Sequence, residues 1–477
     1  MLDVSTAPPH KGTVLIFTIR ATGAWWRHVG ENLGFEKFYT VSDIRNDKYC
    51  DYNIVADFYR FYRKFYESSV DHAHLLTAEE VTEVRARCRV LRWLPQRKAT
   101  AMALAMAASY DRVLEATQPN IVVSFPIDRY TSDVLERLAK KRGIPFFELT
   151  ASAFDNMGML LYRGQLIRRN ASPDIEKVEQ LRAGFTEANF TPSYVQKPTA
   201  YTRLKWLSVF GYFRLRGWVF KAISVWKRDT LNLHYLDSQS FLEHKPSLSD
   251  IGIIDIFDRN WRDMIDRFPK GRRIFIPLQL FPEASIDYWI NELDLLFHED
   301  LIFEICKVFI NAGYLVLVKD HPLQFGFRQI PFLKKLKGLG GVLICPYDVS
   351  GNELMSISGS TFTCTGTLGM QSAMGGLKSI VNENYYSNDE DFVILKSREG
   401  VKDLPQRIHE KVDSDDEYMM QIRIVSNLLR GSFECDFWSF QGFDPRKPNT
   451  SVASLGKELG DQLALLGPNG ENWHFRS

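Results

Sequence analysis

No apolar run in these 477 residues approaches the roughly 18 that a membrane-crossing helix needs. The opening MLDVSTAPPHKG also lacks the basic-then-apolar pattern of an export signal, so a cytoplasmic chain is expected. Neither charge is in excess: 59 Lys and Arg face 58 Asp and Glu, which excludes the broad basic surface of a general nucleic-acid binder, and no nucleic-acid partner is expected. Cysteine is scarce. Cys50, Cys88, Cys306, Cys345, Cys364 and Cys435 lie far apart, with no CxxC and no HxxxH spacing, which excludes the usual zinc patterns and points to a reduced compartment. Cys345 and Cys364 fall inside apolar strand-like runs, where an inert buried thiol is expected. No clear DxD-type cluster stands beside a predicted sheet edge, so no metal and no resident cofactor are expected.

What is present is an ordinary globular mixture, 45% hydrophobic and 25% charged, in a chain long enough for two domains of roughly 150 to 250 residues each. TVLIFTI (Thr13 to Ile19) reads as a buried parallel strand, followed by helical patterns over 77–94, opening TAEE, and over 98–117. NIVVSF (Asn120 to Phe125), the helix-like SDVLERLAKKRG (Ser132 to Gly143) and IPFFEL (Ile144 to Leu149) then form a βαβ unit. The later half repeats the rhythm with RIFIPL (from Arg273), a helix near 299–312, YLVLVK (from Tyr314), GVLICP (from Gly341), TFTCT (from Thr361) and KSIVN (from Lys378). This alternation predicts α/β architecture with doubly wound, Rossmann-like parallel sheets.

The expected organisation is an N-terminal domain over 1–245, a polar linker at Ser238 to Asp250, a C-terminal domain over 250–416, and a helical tail over 417–477 packing across both. Within the first domain, 201–228 has no acidic residue and mixes Arg and Lys with Trp, Phe and Tyr. It reads either as a surface lying on the anionic inner face of the cytoplasmic membrane or as an amphipathic helix packed on the domain with its basic groups snorkelling outward.

Three loops of the later half carry candidate chemistry. In TCTGTLGMQSAMGG (from Thr363) a strand ends in a small-residue turn before a helix, which suits either a phosphate approached closely through Gly366 and Gly369 or a tight turn with no ligand. VKDHPLQFGFR (from Val318) puts Lys319, Asp320 and His321 at the carboxyl end of a buried strand, where open α/β sheets bind ligands. His321 there either bonds a phosphate oxygen and assists a leaving group, with Lys319 and Arg328 supplying positive charge, or simply caps the strand. IPLQLFPEAS (from Ile276) offers Gln279 and Glu283 to sugar or ribose hydroxyls, the alternative for Glu283 being a place at the start of a helix. Loops after three strands of one sheet would converge on one crevice.

In that order, IPLQLFPEAS, VKDHP and TCTGTLG with its following helix resemble the nucleotide-sugar half of bacterial capsule polysaccharide biosynthesis glycosyltransferases, the group that includes the capsule Kdo transferases. The resemblance covers about residues 270 to 390. It implies a GT-B fold of two Rossmann-like domains facing a cleft, a metal-independent transferase of surface glycan assembly, and a nucleotide sugar as co-substrate, with CMP-Kdo the first donor expected. It places His321 and Pro322 near the donor phosphate, and Thr365, Gly366 and Thr367 beside the nucleotide. Two positions depart from the family pattern: Gln371 stands where a glutamate commonly contacts the donor ribose, and Gln279 where a histidine often precedes the PE pair. A glutamine still hydrogen-bonds hydroxyls but does not act as a carboxylate.

The first domain is expected to hold the glycan or lipid-linked acceptor. SFPIDRY (from Ser124) supplies Asp128 as general base or nucleophile and Arg129 for an anionic acceptor, against the alternative that the two pair and cap the following helix. RATGAWW (from Arg20) supplies Arg20 for a phosphate or carboxylate and Trp25 or Trp26 for stacking on a sugar, against their being core residues. A nucleotide-sugar epimerase or hydrolase of the same fold, and a non-catalytic scaffold of capsule assembly, are the alternative functions.

Overall fold

The structure, a computed structural model, describes residues 10–19, 21–67, 74–169, 172–186, 201–240, 248–280, 283–325, 327–411, 417–447 and 449–466. Arg20 and most of the expected linker, 241–247, lie outside them. Two compact units are present: Met1–Ala171 with Leu429–Ser477, and Ser172–Leu428.

The strands, in chain order, are β1 His10–Thr18, β2 Phe35–Ser42, β3 Tyr52–Asn53, β4 Ile121–Ser124, β5 Phe146–Ala151, β6 Met157–Tyr162, β7 Gln165–Leu166, β8 Arg273–Pro277, β9 Leu315–Lys319, β10 Val342–Cys345, β11 Ser360–Thr363, β12 Lys378–Val381, β13 Val393–Ile394 and β14 Ser432–Glu434. Among the described residues the first unit holds one sheet ordered β14-β6-β5-β4-β1-β2-β3, with β7 paired to β6. Its strands β3 to β5 run parallel through β1, whereas β6, β7 and β14 are antiparallel. The second unit holds an all-parallel sheet ordered β10-β9-β8-β11-β12-β13. Strands such as VLIF in β1, IVVS in β4 and LVLVK in β9 are buried throughout, as parallel strands covered on both faces must be. Both units are therefore doubly wound, Rossmann-like α/β sheets.

Local signals explain where helices start and stop. Thr77 and Glu80 form a reciprocal capping box, with Thr77 Oγ1 accepting from Glu80 N at 3.2 Å and Glu80 Oε2 from Thr77 N at 2.7 Å. That helix, Ala78–Arg87, ends at Cys88 in extended backbone, and a short 3-10 turn Leu91–Trp93 replaces the rest of the expected 77–94 helix. The Tyr130–Lys141 helix closes with Gly143 at φ +66°, Gly143 N bonding Lys140 O and Ile144 N bonding Ala139 O, the paired bonds of a Schellman stop.

The unit boundaries differ from those expected for a physical reason. Residues 201–228 belong with the second unit, because the Arg203–Trp226 helix buries Trp206 completely among Ile253, Ile274 and their neighbours. The tail is divided. In the helix Glu417–Leu429, Gln421 Nε2 donates to Met374 O at 2.8 Å and Arg423 pairs with Asp391 at 2.6 Å, both within the second unit. Beyond it, β14 extends the first sheet and the Thr450–Leu466 helix lies against the Gly23–Glu31 helix. That approach needs glycine: a Cβ added at Gly460 would stand 1.9 Å from Leu33 O.

Candidate functional site

In the second sheet the order runs outward from β8 on one side and from β11 on the other, so the switch point lies between these two strands. Open α/β sheets leave their ligand crevice there, outside the carboxyl ends. The loops leaving β8 and β11 meet through Gln279. Its Oε1 accepts from Thr365 N at 3.0 Å and from Thr363 Oγ1 at 3.3 Å, and its Nε2 donates to Thr365 Oγ1 at 3.1 Å and to Glu283 Oε2 at 3.2 Å. Thr365 Oγ1 in turn donates to Ser285 Oγ at 2.9 Å. The glutamine side chain has both a donor and an acceptor end, and both are used.

The loop after β9 joins the same network. Arg328, fully buried, donates to Gln279 O at 2.6 Å and to Asp320 Oδ1 at 2.9 Å, and Asp320 also accepts from His321 N at 2.9 Å and from Tyr347 OH. Thr365, Gln279, Arg328, Asp320 and His321 thus form one hydrogen-bonded chain across three strands. Arg328 was expected to lend its charge to a ligand. Buried against Asp320, it holds the loops in place instead.

Beside this frame stand a lysine, two backbone amides and a histidine. Lys319, 9% exposed, has no hydrogen-bond or ion-pair partner for its ammonium among the described residues, and burial pulls its pKa below the usual lysine range against the opposing field of Asp320. The amides of Gly366 and Thr367 make no hydrogen bond among the described residues. His321 Nδ1 accepts from Leu323 N at 3.1 Å, which leaves the proton of a neutral imidazole on Nε2. Burial, with Lys319 and Arg328 nearby, lowers the His321 pKa and favours that neutral form, although Asp320 opposes. Pro322 opens the short 3-10 turn that His321 caps.

No protein-family model matches this sequence. No curated protein matches it either. Among solved structures, the chain is similar to KpsC, beta Kdo 2,4 transferase, of Thermosulfurimonas dismutans, at 13% identity over 64% of this chain and 78% of that one, with a TM-score of 0.35. It is similar to the UDP-GlcNAc 2-epimerase of Methanocaldococcus jannaschii, in complex with UDP-GlcNAc and UDP, at 11% identity over 87% and 98% of the two chains, TM-score 0.26. A glycosyltransferase of Rickettsia africae is similar at 9% identity over 88% and 94%, TM-score 0.27. Likenesses at such TM-scores add nothing to the chemistry, which rests on the chain's own residues.

The remaining expected residues divide. Glu283 precedes the Ala284–Trp289 helix without capping it and faces Gln279. Gly369 is buried against Tyr386, Val381 and Thr363, where a Cβ would meet the Tyr386 hydroxyl at 2.6 Å, so its smallness serves helix-on-strand packing rather than approach to a ligand. The helix after the turn, Leu368–Met374, is only seven residues long. Its Gln371 is half-buried and makes no side-chain hydrogen bond among the described residues. Ser285, Tyr347 and Tyr386, whose hydroxyl donates to Gly366 O at 2.6 Å, complete the network and carry no motif that sequence reasoning could have read.

In the first unit the corresponding switch point lies between β1 and β4. Trp25 follows β1 but is 1% exposed, stacked on Phe125 at 5.5 Å and edge-on to Phe440 at 6.0 Å, with Nε1 donating to Ser439 Oγ at 3.1 Å. It is a core residue, and its ring is not open to a sugar; Trp26 is likewise buried. Arg129 grips Asp128 with two hydrogen bonds, 2.7 and 3.0 Å, and is itself largely buried. The pair forms as the alternative reading had it, but Arg129, at the N-cap of the Tyr130–Lys141 helix, makes no side-chain cap.

Proposed function

We propose that this chain is a glycosyltransferase whose second unit holds a nucleotide-activated sugar at the β8/β11 switch point. The observation that carries the reading is the Gln279 bridge between the two loops, set beside Lys319 and two amides that have no partner among the described residues, and a half-buried histidine whose burial favours the neutral form. In this reading the amides of Gly366 and Thr367 and the Lys319 ammonium receive the diphosphate or phosphodiester, and His321 Nε2 donates to the oxygen that gathers charge as the nucleotide leaves. Glu283, Thr365 and Gln371 face sugar or ribose hydroxyls, and no step needs a metal. Asp128 is the base for the acceptor hydroxyl, with Arg129 orienting it and any anionic acceptor. CMP-Kdo as donor, and a glycan or lipid-linked acceptor in capsule or surface polysaccharide biosynthesis, follow from the resemblance of the loop sequences.

A second reading, a nucleotide-sugar epimerase or hydrolase, is favoured by one observation: aromatic side chains fill the first unit's switch point, and such an enzyme needs no acceptor. Screening CMP-, UDP- and GDP-sugars for thermal stabilisation tests the donor site, since a ligand at a hundred times its Kd stabilises by about 2.7 kcal/mol. No stabilisation by any of them would leave the scaffold reading in place. Product analysis then separates transfer from release of free sugar or epimer. The His321→Ala variant is expected to stay folded and to lose turnover by about 100-fold, and an unchanged rate would remove His321 from the chemistry.

A further inference from the structure

The Arg203–Trp226 helix has a face that the donor site does not explain. At about 3.6 residues per turn its inward side carries Trp206, Phe210, Phe213 and Phe220. These are covered within the unit: Trp206 stacks on Phe210 at 5.2 Å, Phe213 meets Phe327 edge-on at 4.4 Å, and Phe220 packs on His234 at 5.4 Å. The outward side is apolar as well. Leu204, Leu207, Leu215, Trp218, Val225 and Trp226 recur along it at helical spacing, with Leu204 78%, Trp218 71% and Trp226 81% exposed.

Two basic edges flank this stripe. Arg203, Arg214 and Lys221 fall on one side of the helix and Lys205 and Arg216 on the other, and no acidic residue occurs anywhere in 201–228. Arg203 also reaches Asp255 at 2.7 Å, while Arg214, Arg216 and Lys221 lie over the rings of Phe210, Phe220 and Trp218. We propose that this face docks flat on an anionic phospholipid bilayer, its Trp and Leu side chains entering between headgroups that both basic edges meet at once. A plane satisfies the two edges together, and Trp and Tyr favour that depth. A second copy would bring five cations against five of the same sign. No described helix is long and apolar enough to cross a membrane, so the contact is along the surface. The helix was expected either to lie on a membrane or to pack on the domain, and here one face is packed while the other stays exposed.

This proposal stands apart from the donor chemistry, and its test uses no nucleotide. The full chain is mixed with phosphatidylcholine vesicles with and without phosphatidylglycerol, and the fraction that co-sediments is measured. Binding is expected with the anionic vesicles, weakened at high salt, and reduced at least tenfold in Trp218→Ala/Trp226→Ala and in Arg214→Glu/Lys221→Glu. Circular dichroism should stay unchanged, since all four side chains are exposed. The proposal is overturned by equal binding to neutral vesicles, by retained binding in the tryptophan double variant, or by no vesicle binding. Sedimentation showing a dimer that the tryptophan variant dissociates would assign the face to a second copy instead.

Discussion

The two units share a strand order and differ in what occupies its switch point. In both, the strands run outward from a central pair, β1 and β4 in one, β8 and β11 in the other. In both, a neighbouring side chain holds the loop beyond the pair: Gln279 Oε1, just past β8, accepts from Thr365 N, and Glu148 Oε2, within β5, accepts from Ile127 N at 3.1 Å. The second unit surrounds this feature with hydroxyls, amides and a lysine. In the first, Trp25 and Phe125, just past β1 and β4, pack with Phe437 and Phe440 from the returning tail. Topology thus provides two switch points, and side-chain chemistry sets them apart: polar groups stand beyond one, packed aromatic rings beyond the other.

The largest effect that would sharpen this contrast is expected from Phe125→Ala. Phe125 touches Trp25, Trp26, Phe437 and Phe440 at ring-centroid distances of 4.9 to 5.7 Å. Deleting it should cost the first unit about 3–5 kcal/mol by cavity formation, read as faster hydrogen exchange in β1 and β4, while stabilisation by a nucleotide sugar is preserved. Loss of sugar binding with exchange unchanged would mean that the aromatic cluster belongs to the active machinery and that the contrast is false.

A smaller effect separates the two loop-holding side chains by pH. Glu148 is fully buried, and burial pushes its pKa up from the ordinary carboxylate range to about 7, although the amides of Ile127 and Arg163 oppose the shift. The fold therefore favours the protonated form. That contribution is complete below the ordinary value of 4.5 and is lost as pH rises through about 7. Gln279 does not titrate. Between pH 5 and pH 8 the wild type should lose up to about 3 kcal/mol relative to Glu148→Gln, measured as diverging denaturation midpoints. Parallel midpoints across that range would show the carboxylate to be ionised throughout.

Why the strands and one sheet edge are legible in the sequence, and the other edge is not, follows from the same residues. The runs TVLIFTI, NIVVSF, YLVLVK and GVLICP announce themselves because parallel strands buried on both faces are continuously apolar. Gln279, Lys319, His321 and Thr365 are placed together by the sequence because polar residues at the ends of such runs stand at the carboxyl edge of the sheet. Trp25 was placed there by the same rule, yet an aromatic at that edge is covered whenever the chain returns aromatics to it, and Phe437 and Phe440 lie more than 400 positions away in sequence. Strands β6 and β14 and the division of the tail escaped because antiparallel pairing between residues 157–162 and 432–434 leaves no local period. Arg328 was misassigned because the sequence displays its charge but not its buried partner Asp320.

The smallest expected change is the most discriminating, because it separates stability from function at one side chain. A lysine buried with no partner among the described residues costs the fold, and the downward shift of the Lys319 pKa through burial is the sign of that cost. Replacing it with the similarly shaped, uncharged Met should raise the melting temperature of the free protein by a few degrees, about 1 kcal/mol, while the shift produced by a nucleotide sugar disappears. A residue kept only for packing would behave the other way round, with a lower melting temperature and an intact ligand shift. Such an outcome would remove Lys319 from the donor site, because the charge that an anionic donor would neutralise would then have no ligand to meet.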